Sequence, residues 1–175
     1  ATVAAPYGAE PIGTLSASGS FTGKVRHIPI TGSYGTAIYY GDYVKLVSGG
    51  KVEKSAITTG IVAGTVGIFV GCAYTDPTTK QMTFSQYWPA SNAATDPVAY
   101  VADDPNLLFK IQGDDTIAAA SLGLNVQGIS TAGNAAIGHS RNALDASSVA
   151  TTNSFPLRIV EFVKGPFSAA GDAFT

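Results

Sequence analysis

The sequence predicts a mainly β protein: a single compact β-sandwich or barrel-like domain over residues 24–175, with one short helix, preceded by an extended N-terminal arm over residues 1–23. Three observations predict it. Between residues 33 and 112 the chain runs as short apolar segments parted by Gly, Asp and Pro, the punctuation of strands and turns. Valine, isoleucine, tyrosine and phenylalanine fill those segments, side chains that pack well on a pleated surface. Finally, 45% of the 175 residues are hydrophobic and only 13% are charged. That is enough apolar material for one sizeable core, under a surface of Ser, Thr, Gly and Ala.

The elements follow in chain order. Residues 1–23 are rich in Ala, Ser and Gly with weak periodicity, and read as an arm that orders against its own chain, a neighbour or nothing. Strands begin at Ile38. Segments 43–48 and 51–54 flank Gly49-Gly50, a two-residue loop suited to a type I′ hairpin because both positions need positive φ. A short strand at Ile61–Val62 precedes a dense apolar one over 66–74, expected to be buried on both faces. TDPTTK, 75–80, carries Asp-Pro turn chemistry. It leads into a strand over 81–88, with Met82, Phe84, Gln86 and Trp88 on one side and Thr83, Ser85 and Tyr87 on the other, ended by Trp88-Pro89.

Two more strands, 98–101 and 107–112, are separated by the DDPN turn at 103–106. The helix is expected from the caps Asp114–Thr116 through IAAASLG to a stop at Gly123. Segment 125–129 reads as strand. Segment 131–153 reads as a polar loop, long enough to suggest contact with a partner. Over 155–164, Leu157, Ile159, Glu161 and Val163 alternate against Arg158, Val160 and Phe162, a closing strand. The pairs Gly41-Asp42, Gly113-Asp114 and Gly171-Asp172 read as turns.

Composition also bears on function. The net charge is −2 with no run of Lys or Arg, so no nucleic-acid partner is expected, since counterion displacement needs a basic stripe. No membrane partner is expected either. The apolar stretch 57–73 is interrupted by three threonines and four glycines and is shorter than the roughly 20 residues of a helical span. The first residues lack the basic and apolar regions of a signal peptide. Cys72, the single cysteine, reads as a small buried hydrophobe.

No catalytic constellation emerges, and the reading is a non-enzymatic protein without cofactor. His139, Ser140 and Asp145 lie in one loop without a GxSxG elbow, and His27 stands between apolar residues. The pairs Asp103-Asp104 and Asp114-Asp115 either offer oxygen ligands to calcium or cap turns and the helix start. The remaining signal is aromatic. Tyr34, Tyr39, Tyr40 and Tyr43 cluster around Gly41-Asp42, with Tyr87 and Trp88 later and Tyr7 in the arm. Tyr7, Tyr34, Tyr39, Tyr40, Tyr87 and Trp88 are the candidate interface residues, either anchors for a partner or ordinary strand packing.

The segments VRHIPI (25–30), SYGTAIYYGDYVKLV (33–47), VGIFVGCAYTDPTTKQMTFSQYWPAS (66–91), AYVADDPNLLFKIQ (99–112) and PLRIVEFVKGP (156–166) with GDAF (171–174) together resemble a family of tailed-bacteriophage virion proteins. That family includes capsid decoration, or cement, proteins. The resemblance spans residues 24–174, and its most specific parts are the GDYVKL turn, the block from GIFVGC to QYWP and the DDPN turn. None of these motifs is catalytic, so no active site is carried over. The resemblance implies a β-tulip-like, typically trimeric protein on the outer surface of the capsid, bracing subunits of the major capsid protein. Two rival readings are a host- or glycan-binding virion module using Tyr87, Trp88 and the 131–153 loop, and a tube- or fibre-forming subunit.

Overall fold

β-branched and aromatic runs become strands throughout the computed structural model, which describes residues 3–15, 19–58, 62–166 and 168–175. In chain order they are β1 (Glu10–Thr14), β2 (Arg26–Pro29), β3 (Ile38–Tyr39), β4 (Tyr43–Val47), β5 (Lys51–Lys54), β6 (Thr65–Thr75), β7 (Met82–Ser85), β8 (Tyr87–Trp88), β9 (Val98–Ala102) and β10 (Leu107–Lys110). Four short strands follow: β11 (Asn125–Val126), β12 (Gly128–Ile129), β13 (Ala143–Leu144) and β14 (Leu157–Arg158). The chain is mainly β. The sheets do not close into a barrel, and the layered arrangement is compatible with a sandwich.

The principal sheet runs in the order β2-β9-β6-β4-β5, and β7 pairs with β6 beyond the end of β4. β6 is its axis because it is apolar on both sides, as its sequence predicts. Successive residues Ile68 and Phe69 lie in two different core clusters, one on each face. Phe69, Trp88, Ile28, Ile38, Val44, Val52 and Val101 fill the larger cluster. Ala9, Tyr43, Ile57 and Ile68 form the second, under the partly buried Phe109, Ile111 and Leu157. Ile117, Val126 and Ile159 make a third beneath the C-terminal segments. Glycine is required at the crossing of β6 and β9: a Cβ on Gly67 would stand 2.2 Å from the Ala102 carbonyl oxygen.

Of the partners left open for the arm, the structure selects its own chain: β1 pairs antiparallel with β10, and Ala9 is fully buried. Parts of the predicted arm, residues 1–2 and 16–18, lie outside the described residues. Several other expectations are corrected. The hairpin loop has three residues, since Val47 pairs with Lys51 across Ser48, Gly49 and Gly50; both glycines do take positive φ. Of the strand expected at Ile61–Val62, Ile61 lies outside the described residues and Val62 is in a turn, its carbonyl accepting from the Thr65 N–H.

The strand over 81–88 breaks at Gln86. β7 pairs with β6, whereas β8 leaves to pair with β3. Met82 and Phe84 therefore face solvent while Trp88 is fully buried. The expected helix reduces to a single 3-10 turn, Ala119–Ser121, without a side-chain cap. Its alanines are exposed, so no apolar face pulls a longer helix onto the body. Segment 125–129 splits into β11 and β12, which pair with β14 and β13 respectively. The 131–153 segment contains β13 and a second 3-10 turn, Ala146–Ser148, and is tied to the body by hydrogen bonds. Of the closing strand, Leu157–Arg158 forms β14, and Ile159 beyond it still exchanges backbone hydrogen bonds with Gly123 and Leu124.

Candidate interaction groove

The organising residue is Asp42, in the tight turn between β3 and β4. Gly41 precedes it at φ +87°, and a Cβ there would meet the arm's backbone at Tyr7, Gly8 and Ala9. Glycine therefore lets the arm cross directly over the turn, where the Ala9 N–H donates to the Gly41 carbonyl at 3.0 Å. Asp42 itself is fully buried, a costly position for a carboxylate unless every lone pair is used.

Each is used. Oδ1 accepts from Ser140 Oγ at 2.6 Å and Asn142 Nδ2 at 3.1 Å. Oδ2 accepts from the Tyr39 N–H at 2.9 Å and pairs with Lys54 Nζ at 2.9 Å. One carboxylate thus fastens the β3–β4 corner, β5 and the 131–142 loop. The Asn142 carbonyl in turn accepts from the Gly8 N–H at 3.2 Å, and Asn142 Oδ1 accepts from the Thr131 N–H at 3.1 Å. Gln112 holds the start of the arm, accepting from the Ala5 N–H and donating to the Val3 carbonyl.

This fastening places the 131–142 loop among the candidate tyrosines. Tyr40 exchanges backbone hydrogen bonds with Gly138 and Ser140, and its ring lies 5.1 Å from that of His139. Its chain neighbour Tyr39, in β3, stacks on Tyr87 at 5.4 Å and 13°. Gly133 packs so closely that a Cβ would stand 2.2 Å from the Tyr39 ring. Lys110, ion-paired with Glu10 at 2.8 Å, sits 5.5 Å from the Tyr7 ring. Partial burial pushes the Tyr7 and Tyr40 hydroxyls above the ordinary tyrosine range, so both remain protonated donors at neutral pH.

Between arm and loop lies an open groove of about 520 Å³, lined among others by Pro6, Tyr7, Asn134, Ile137, His139 and Arg141. Comparison of the chain with models of known families, with curated proteins and with solved structures returns no match. The groove and the surface around it must be read from their own chemistry.

Of the predicted interface residues, Tyr7, Tyr39, Tyr40 and Tyr87 border the 131–142 loop, each partly exposed. Tyr34 is elsewhere, half-buried against the large core cluster. Trp88 is a correction: it is fully buried, edge-on to Tyr74 at 5.3 Å, and presents no surface to a partner. Tyr43 is buried too.

The chemistry weighed from sequence is dispersed. Ser140 bonds Asp42, His139 packs on Tyr40, and Asp145 accepts from Ser147. His27 lies against the Tyr100 ring at 4.7 Å. Asp103 pairs with Arg26 at 2.8 Å, while Asp104, Asp114 and Asp115 accept backbone N–H groups of Asn106, Ala146 and Thr116. Among the described residues no group of three His, Cys, Asp or Glu side chains comes together to hold a metal ion. Nor is any helix among them long and apolar enough to cross a membrane. Burial pushes the Cys72 thiol up to about 12, and its sulfur donates to the Tyr87 carbonyl.

Asp42, Asn142 and Arg141 escaped the sequence reading. Gly41-Asp42 was legible only as a turn, because burial of an aspartate depends on donors about a hundred residues away.

Proposed function

We propose that this protein is a non-enzymatic virion structural subunit that binds the outer surface of a phage capsid as a homo-oligomer, with a trimer favoured, and braces contacts between subunits of the major capsid protein. The observation that carries this reading is the apolar surface. Phe84 is 73% exposed and Met82 60% exposed on one strand, and Ile12, Leu15 and Ile137 are exposed as well, on a chain with only 13% charged residues. Met82 and Phe84 share the exposed face of one strand, and adjoining exposed apolar side chains of this kind mark protein–protein contact. The resemblance to decoration proteins supplies the identity of the partner. Because the arm is built into the body, the bracing surface is that of the whole domain and not a detachable strap.

Cosedimentation of the purified protein with undecorated capsids tests the reading, together with cryo-electron microscopy of the decorated particle. Saturable occupancy of the outer surface by a defined oligomer is expected. Absence of binding to capsids of its own phage would sink it.

The fibre-forming alternative draws on β7. Among the described residues its one strand partner is β6, and it carries no charged side chain or proline to discourage strand addition. Light scattering distinguishes the two, since closed trimers have a fixed mass and filaments grow with concentration. The glycan-binding alternative loses Trp88, which is buried.

A further inference from the structure

The groove between the arm and the 131–142 loop holds a cation that the fold does not use. Arg141 is exposed and lines the groove, and among the described residues its guanidinium has neither an ion pair nor a hydrogen bond. Three other cations are neutralised within the chain: Arg26 by Asp103, Lys54 by Asp42 and Lys110 by Glu10. No acidic side chain lines the groove, and Arg141 is the one Lys or Arg among its described lining residues.

Arg141 is also held in place. The residues on either side of it, Ser140 and Asn142, are buried and both bond the Asp42 carboxylate. Its backbone is thereby fixed before any ligand arrives, which lowers the ordering cost of binding. Beside it Ala4, Pro6 and Ile137, the last 59% exposed, give the lining an apolar part.

We infer that this groove binds an extended acidic peptide segment of a partner protein, one carboxylate pairing with Arg141 while flanking apolar side chains cover Pro6 and Ile137. A guanidinium matches a carboxylate through two parallel N–H donors, and complementary charge selects the acidic partner. An acidic sugar fits less well. Sugars use open aromatic faces, and here the Tyr7 ring has Lys110 beside it and the Tyr40 ring has His139. The capsid reading is not needed for this assignment, which rests on the groove alone.

The test follows backbone amides of the isotope-labelled full chain by NMR as two blocked pentapeptides are added, Ala-Val-Glu-Val-Ala and its Gln counterpart. At millimolar concentration the Glu peptide is expected to shift the amides of Tyr7 and of residues 134–141. The Gln peptide is expected to bind about tenfold more weakly, the loss of one charge-assisted pair. Arg141→Ala should erase the difference between the peptides, and Arg141→Lys should keep part of it. Because Arg141 is exposed, unchanged amides elsewhere in the spectrum certify that each variant is folded. Three results would overturn the assignment: no shift in those amides with the Glu peptide, equal binding of the two peptides, or discrimination that survives Arg141→Ala. Glucuronic acid shifting the same amides at lower concentration than the peptide would also overturn it, in favour of acidic sugars. Since no capsid is involved, failure here is distinguishable from failure of capsid binding.

Discussion

At the residue scale, Asp42 and Tyr43 are neighbours with opposite polar bookkeeping. Asp42 is buried with all its acceptor capacity filled, by Lys54, Ser140, Asn142 and the Tyr39 N–H. Removing its charge strands a lysine and turns an acceptor toward donors. Asp42→Asn is therefore expected to cost about 3 kcal/mol, the scale of breaking one partner of a buried pair, read as a lower midpoint in urea unfolding. The Tyr43 hydroxyl is buried with no partner among the described residues. Tyr43→Phe removes a polar group that gains nothing from folding, so stability should stay level or rise by up to about 1 kcal/mol. A loss larger than that would show that the hydroxyl is satisfied in solution. Both residues read simply as part of a Tyr-rich turn in sequence, because what separates them is who stands opposite, and that is set by the 131–142 loop.

At the element scale, the arm carries the clearest consequence. A segment of Ala, Ser and Gly has too little apolar periodicity to announce a strand, yet β1 pairs with β10 through a bulge between Pro11 and Gly13. Ala9 beside it is fully buried in the cluster of Tyr43, Ile57 and Ile68. Deleting residues 1–14 should remove this strand, uncover Phe109 and leave the Asn142 carbonyl without the Gly8 N–H. The expected cost is about 4 kcal/mol or more, a large part of the 5–15 kcal/mol that holds a typical domain. Circular dichroism with chemical denaturation checks it, and a truncated chain as stable as the full one would make the arm a dispensable strap after all. The strand over 66–74, by contrast, was plain in sequence: its continuous apolar run allowed no solvent-facing side. The break at Gln86 was not, since alternation from Met82 to Trp88 continues smoothly and only the separate pairing of β7 and β8 interrupts it.

At the scale of the whole molecule, burial gives the fold an alkaline limit. Cys72 is moved from 9.0 up to about 12 by burial, and the Tyr43 phenol is raised for the same reason. In the unfolded chain both ionise at their ordinary values while the folded protein keeps them protonated. Stability is therefore fully present below pH 9, declines as pH rises above it, and continues to fall through the folded value. The slope is up to about 1.4 kcal/mol per pH unit for each group. Thermal melts between pH 8 and pH 11 (solution conditions chosen around the ordinary thiol and phenol values) should show this decline. Cys72→Ala, though less stable at neutral pH, should show a shallower one. An identical slope in the variant would remove Cys72 from the account.

The sequence by itself determined the β class, the axial strand, the turns at Gly41-Asp42, TDPTTK and DDPN, and the burial of Cys72. Each of these follows from local causes: side-chain shape, apolar continuity, and the φ demands of Gly, Pro and Asp. Only the tertiary structure decided that the arm joins its own body, that Trp88 is core and not surface, and that Asp42 is a buried junction. It alone left Arg141 unpaired, among the described residues, beside a groove. The physical reason is distance along the chain. Burial of a charge, or its lack of a partner, is a property of pairs, and Asp42 meets Ser140 and Asn142 across separations of 98 and 100 residues, which no local pattern encodes.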